Sequence, residues 1–177
     1  MSKEKKESWE WLKAIVIALI LAFVIRHFLF APVIVDGESM IPTLENSDRM
    51  IVNKISYSLG EPERFDIIVF HAPAGKDYIK RVIGLPGDTV EFKNDILYVN
   101  GEAVDEPYLD ALKQSYNGGQ LTRDFSVITV PDNELFVLGD NRSRSKDSRD
   151  IGTIHIDEVI GKANVVFWPV SNIRIAN

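Results

Sequence analysis

Hydrophobic positions divide the chain near residue 32 into two regimes. Ala14 to Ile25 form an unbroken apolar run, AIVIALILAFVI, and after Arg26-His27 the apolar character resumes as Phe28-Leu29-Phe30-Ala31. Its uninterrupted core of 12 residues falls short of the ~20 of a full membrane span. Trp9 to Phe30 is long enough to cross if Lys13 and Arg26 snorkel to opposite interfaces, with Trp9 and Trp11 in the first interfacial belt. From Val33 onward the pattern changes to short β-rich runs broken by Gly, Pro, Asn and Asp. It predicts strands at Met50–Ile55, Ile67–His71, Tyr78–Ile83, Thr89–Lys93, Ile96–Val99, Val127–Val130, Leu135–Leu138 and Val159–Trp168. Turn signals separate them at Ala72-Pro73-Ala74-Gly75, Pro86-Gly87-Asp88 and Pro131-Asp132-Asn133, and Asn100-Gly101 marks a hairpin.

The expected fold is therefore mainly β: an antiparallel coiled sheet or partly open barrel, preceded by one N-terminal transmembrane helix. Residues 1–11 are expected in the cytoplasm, 12–31 as a signal anchor, and 32–177 as an extracytoplasmic domain in the cell membrane's outer compartment. That orientation rests on Lys3, Lys5, Lys6 and Lys13, which precede the run, because basic residues stay inside. Two plainer readings fit less well. A cleaved signal peptide lacks its small-x-small site, with bulky Phe28-Leu29-Phe30 and an obstructing Pro32. A buried core helix would not be apolar on every side at the start of a small soluble domain. Residues 105–125, with Gly118-Gly119 and no strand pattern, read as a variable surface loop.

Composition narrows the chemistry. The 45% hydrophobic and 26% charged content of the 177 residues is that of a folded protein. A net charge of −6 gives no basic face for nucleic acid. The chain has no cysteine, so disulfides, thiolate metal sites and cysteine nucleophiles are excluded. His27, His71 and His155 share no metal-ligand spacing; no metal or cofactor is expected.

Three polar features remain. Ser39 sits in Gly37-Glu38-Ser39-Met40-Ile41-Pro42-Thr43, just beyond the apolar segment. Alone it is a turn serine. Lys80 lies in the apolar strand Tyr78-Ile79-Lys80-Arg81-Val82-Ile83. Alone it is a snorkelling strand lysine. Together they can be a nucleophile and its base, with no histidine needed. Lys80 and Arg81 face opposite ways in a strand, and only a lysine loses its proton at usable pH. An ordinary lysine is neutral in about one molecule in 2,500 at pH 7, so a pKa near ~7 requires disfavouring its charged form by roughly 4–5 kcal/mol, within reach of burial. The third feature is the polar run Gly139 to Asp150 after the strand Leu135–Leu138. It reads as a solvated or phosphate-binding loop, or as a salt-bridged buttress through Asp140, Asp147, Arg142 and Arg149, with Ser145 or Ser148 orienting a lysine amine.

In combination, SM-P-T around Ser39, KRVIGLPGD from Lys80 to Asp88 and GDNR-S-DSR from Gly139 to Arg149 resemble type I signal peptidases. Arg49 to Lys54 resembles that family's remaining strand block, and the resemblance runs from the anchor through Trp168. It implies a Ser-Lys serine endopeptidase that removes signal peptides from exported preproteins at the outer membrane–water interface, cutting after a small-x-small motif. It implies Ser39 as nucleophile, Lys80 as general base, Ser145 as the serine that orients the lysine, and Asp147 and Arg149 as a structural salt bridge. The Ser39 backbone N–H would serve the oxyanion hole. The implied partners are preproteins, the lipid bilayer and a nearby export translocase. Gly37 departs from members that carry a serine oxyanion donor there, and Ser143, Arg144 and Lys146 are also atypical. The single anchor and short chain look like the compact Gram-positive form. The rivals are a self-cleaving repressor-type Ser-Lys protease, which should be cytoplasmic with a DNA-binding domain, and a tethered non-catalytic β-domain, which should have lost Ser39 or Lys80.

Overall fold

The computed structural model describes residues 2–73 and 75–176, and their side chains except at 2–6, 27–28 and 58–59. The basic side chains of Lys3, Lys5 and Lys6, the Phe28 ring and Ala74 in the first turn therefore lie outside the described residues. Helix α1 (Ser2–Val24) passes through one π-type turn, Ile25–Leu29, directly into strand β1 (Phe30–Ile34). Among the described residues no helix is long and apolar enough to cross a membrane. The expected 12–31 span is thus corrected at its end: Phe30 and Ala31 belong to the sheet, paired with Asn53 and Val52. Their apolarity continues that of the helix, which hid the strand. Pro32 is accommodated because β1 is the outermost strand of its sheet.

The remaining elements follow as β2 (Arg49–Asn53), α2 (Ser56–Leu59), β3 (Ile67–Ala72), β4 (Lys76–Gly84), β5 (Thr89–Lys93), β6 (Ile96–Val99) and β7 (Glu102–Val104). After them come α3 (Asp110–Ser115), β8 (Phe125–Thr129), β9 (Glu134–Leu138), α4 (Ser148–Ile151), β10 (Ile154–His155), β11 (Val159–Trp168) and β12 (Arg174–Ile175). The pairing is antiparallel throughout. One sheet runs β1-β2-β11-β3-β4-β9-β10 with β12 beside β11, and a second runs β7-β6-β5-β8. Both are open sheets; the described strands form no closed barrel.

Three apolar clusters explain the strand sequences. Side chains alternate across a sheet, and β3 accordingly sends Ile67 and Val69 into one cluster and Ile68 and Phe70 into another. Covered on both faces, it reads as a continuous apolar run and not as an alternation. A third cluster, with Ile83, Val90, Phe92 and Phe136, fills the space between the sheets. Gly84 permits that closeness: a Cβ there would lie 2.7 Å from Val90 Cγ2 and 2.8 Å from Val130 Cγ2. The same two-sided covering modifies one expectation about β4. Lys80 and Arg81 do face opposite ways, yet both are buried, at 3% and 1% exposure.

Candidate active site

Ser39 is carried on a turn between β1 and β2, and its neighbours fix it. Met40 is buried in the first cluster, as is Leu44, whose N–H donates to the Met40 carbonyl at 2.9 Å. The Ser-Met dipeptide thus pairs a half-exposed hydroxyl with a core anchor one residue on. Gly37 opens the turn with φ +107°, a backbone conformation that favours glycine, and its N–H donates to Asn46 Oδ1 at 2.9 Å.

Lys80 reaches Ser39 from β4. The Lys80 ammonium Nζ donates to Ser39 Oγ at 2.8 Å and to the Ile79 carbonyl at 2.8 Å. Burial lowers its pKa to about 8, against the pull of Asp147 and Asp140, which favour the charged form. The amine is therefore poised to lose a proton near physiological pH, and a neutral amine at this distance has the chemistry to accept a hydroxyl proton. Beside the pair lies a groove of about 470 Å³ bordered by Val33, Val35, Gly37, Tyr78, Ile79 and Lys146. Strand β4 pairs with β3 along Lys76–Arg81, but its pairing with β9 begins only at Arg81. The Asp77–Lys80 edge toward the groove is thus free of strand partners among the described residues.

The 139–149 block forms the site's back wall. The Asn141 N–H donates to the Ser39 carbonyl at 3.0 Å, and its side-chain amide donates to the Glu38 carbonyl at 3.0 Å. Asp140 is fully buried and accepts two bonds from the Arg81 guanidinium, at 2.9 and 2.7 Å, and it also accepts the Thr43 hydroxyl. Asp147 is paired with Arg149 through two 2.8 Å bonds and accepts the Gly139 N–H at 3.0 Å. Ser148 points elsewhere, accepting the Val137 N–H at 2.9 Å. Ser145 Oγ is buried beside Gly139 and, among the described residues, makes no hydrogen bond, so the bond expected from it to the Lys80 amine is not formed. A Cβ on Gly139 would collide with both Ser145 Oγ and the Ser39 carbonyl, so only glycine lets these groups meet.

One partner escaped the sequence reading. Arg142 is buried and pairs with Glu106, which comes from the segment expected to be a variable surface loop. Thr122 and Tyr108 from that segment also bond Arg142, at 3.3 and 3.1 Å. Residues 105–125 hold a short 3-10 turn and α3, and Glu106, Leu109, Leu121 and Thr122 bury them against the domain. The segment is a surface excursion only between those anchors.

A serine hydroxyl and a desolvated lysine amine at the floor of a peptide-sized groove are the equipment of a serine hydrolase. The comparisons with known proteins agree. Residues 8–168 match the family described as signal peptidase, peptidase S26, and the chain belongs to that family. It is 51% identical to signal peptidase I S of Bacillus subtilis (strain 168), covering 98% of this chain and 96% of that one. It is 48% identical to signal peptidase I of Bacillus caldolyticus, covering 96% of each. Signal peptidase IB of Staphylococcus aureus is 43% identical over 96% of this chain and 94% of its own. Among solved structures, the crystal structure of a signal peptidase I from Enterococcus faecalis V583 matches at 43% identity and a TM-score of 0.55. That match covers 58% of this chain and 97% of the other.

Proposed function

We infer that this protein is a signal peptidase I: a serine endopeptidase that hydrolyses the bond joining a signal peptide to an exported preprotein, with Ser39 as nucleophile and Lys80 as its base. The observation that carries the catalytic assignment is the 2.8 Å contact between Lys80 Nζ and Ser39 Oγ at the groove floor. The neutral Lys80 amine accepts the Ser39 proton as Oγ attacks the scissile carbonyl carbon. The Ser39 N–H faces the developing oxyanion, and Gly37 adds no side-chain donor. The resulting Lys80 ammonium returns the proton to the leaving amine. Lys80 then takes a proton from water, which attacks the acyl-Ser39 ester; the ammonium passes that proton to Ser39 Oγ as the ester bond breaks, releasing the signal peptide with a free carboxylate and restoring the pair. The Asp147–Arg149 pair fixes the loop that carries Ser145, but the expected orienting bond from Ser145 to the amine is not formed here: Lys80 Nζ is oriented by Ser39 Oγ and the Ile79 carbonyl.

An extended peptide can add along the open Asp77–Lys80 edge of β4, with alternate side chains reading shallow pockets in the groove wall. A preference for small residues at the first and third positions before the cut follows from those pockets. The N-terminal segment is the membrane anchor. Ile15, Leu19 and Phe23 on α1 are exposed by more than half, which suits lipid better than water. Helix α1 by itself, over its described residues, is not long and apolar enough to cross, but Trp9 to Leu29, counted at helical rise through the π-type turn, covers roughly 30 Å, the depth of a bilayer's hydrocarbon core. Basic residues before the run keep the N-terminus in the cytoplasm, placing the β domain on the outer face near the export translocase. The exposed Phe30, Trp168 and Val170 side chains give that domain an apolar ledge toward the lipid.

Ser39→Ala and Lys80→Met test the assignment. Each should abolish preprotein cleavage in detergent while leaving the β-rich circular dichroism spectrum intact. Substantial cleavage by either folded variant would refute the dyad.

A further inference from the structure

Arg142 stands at the junction between the wall that touches Ser39 and the segment 105–125, and its bonds run both ways. Toward the site, its Nε donates to the Gly139 carbonyl at 3.1 Å and its backbone N–H donates to the Asp140 carbonyl at 2.9 Å. The next backbone group, the Asn141 N–H, holds the Ser39 carbonyl. Away from the site, the guanidinium enters a closed cage. Glu106 accepts from both terminal nitrogens, Thr122 and Tyr108 add their hydroxyls, and the Phe92 ring lies 5.3 Å from the guanidinium carbon. Arg142 and Glu106 are 2% and 3% exposed, so water cannot replace either partner. The Glu106 carboxylate also accepts the Tyr108 hydroxyl at 2.8 Å, and Lys113 approaches it at 3.6 Å.

We propose that Glu106 is a positioning residue for the nucleophile: its carboxylate fixes Arg142, and Arg142 holds the 139–142 strap at the height that sets the Ser39 carbonyl and hence Oγ against Lys80. Glu106 touches neither substrate nor dyad. Its influence passes through two hydrogen-bonded steps, from carboxylate to guanidinium and from strap to Ser39. The ion pair alone would stabilise the fold. What makes it a catalytic support is that the strap segment it immobilises is the one bonded to the nucleophile's own carbonyl.

The inference rests on Ser39 being the nucleophile, and the experiment separates the two. Glu106→Gln, Glu106→Asp, Thr122→Val, Arg142→Gln and the double variant Glu106→Gln/Arg142→Gln are assayed on a synthetic signal-sequence peptide. Rates are normalised to the folded fraction from circular dichroism. Glu106→Gln should lower kcat by about 10- to 100-fold, because misplacement by about an ångström costs up to ~10² in rate. KM should stay within about two-fold, since Val33, Val35, Tyr78 and Ile79, on the β1 and β4 sides of the groove, are not bonded to the strap. Glu106→Asp, which keeps the charge, should recover part of the loss. The double variant should be no slower than Arg142→Gln alone, because Glu106 acts only through Arg142. Should Glu106→Gln fold poorly, Thr122→Val keeps the ion pair and should still lower kcat a few-fold at constant KM. Unchanged kcat per folded molecule in Glu106→Gln, or in Thr122→Val where Glu106→Gln does not fold, would overturn the proposal even if melting temperatures fell. Ser39→Ala is run alongside. If it is inactive while Glu106→Gln is normal, only the positioning role fails; if it is active, the nucleophile assignment fails first.

Discussion

Gly139→Ala adds one methyl group and should cost most of the activity. Gly139 does not have a positive φ among the described backbone, so alanine suits its conformation and the effect is purely steric. The new Cβ would stand 2.6 Å from Ser145 Cβ, and nearer still to Ser145 Oγ and the Ser39 carbonyl oxygen. Carbon atoms settle at about 3.5–4.0 Å, so something must retreat by about 1 Å. Gly139 itself is held on both sides, by the Asp147 carboxylate on its N–H and by Arg142 on its carbonyl. Met40, buried in the core, resists recoil by the Ser39 turn. The displacement therefore falls on the Ser39–Lys80 contact. A shift of that size costs about 100-fold in kcat, and overpacking of this kind costs about 1–3 kcal/mol of stability. Peptide-cleavage kinetics and urea unfolding read the two effects separately. A Gly139→Ala enzyme with kcat within two-fold of the parent would refute the claim that this wall sets the serine.

Two further outcomes follow from the buried charges. Arg81→Met leaves the Asp140 carboxylate buried without its bidentate partner and should lower stability by about 3–5 kcal/mol; near-parental urea unfolding would show the pair to be dispensable. Lys80→Met should be inactive yet more stable than the parent at pH 7. Lowering the lysine from 10.5 to about 8 corresponds to about 3 kcal/mol against folding, offset by two hydrogen bonds of about 1 kcal/mol each, leaving a gain of about 1 kcal/mol. The sign follows from proton uptake: between about 8 and the unfolded value the unfolded chain binds more protons, so the parent gains stability as pH rises through that window. Lower stability of Lys80→Met than of the parent at both pH 7 and pH 10 would contradict it.

The strands were legible wherever turn residues bounded them. Thr89–Lys93, Ile96–Val99 and Val159–Trp168 have the expected limits. Strand β1 was hidden because Phe28 to Ala31 continue the apolarity of the helix, and apolarity without a break carries no period to separate helix from strand. Strands β10 and β12 span two residues each, too few to show any alternation. At the site, residue chemistry raised Ser39 and Lys80 as a possible pair and the resemblance implied their roles; the contact itself spans 41 residues of sequence. Glu106 left only a faint trace. It stands between Asp105 and Pro107 in a polar stretch, and a buried ion pair imposes no periodicity on either strand or loop. The available signal was indirect: an arginine held against a site needs an acid, and the acids within the 139–149 block are Asp140 and Asp147, which pair with Arg81 and Arg149.

The pH dependence of kcat/KM on a signal-sequence peptide tests the Lys80 base most directly. A base near 8 is neutral in about one molecule in eleven at pH 7 and about ten in eleven at pH 9. The rate should therefore rise about ten-fold between those values and level off above them. A profile with its inflection near 6.5, where a histidine titrates, or one still climbing without an inflection through pH 10, would contradict Lys80 as the desolvated base of Ser39.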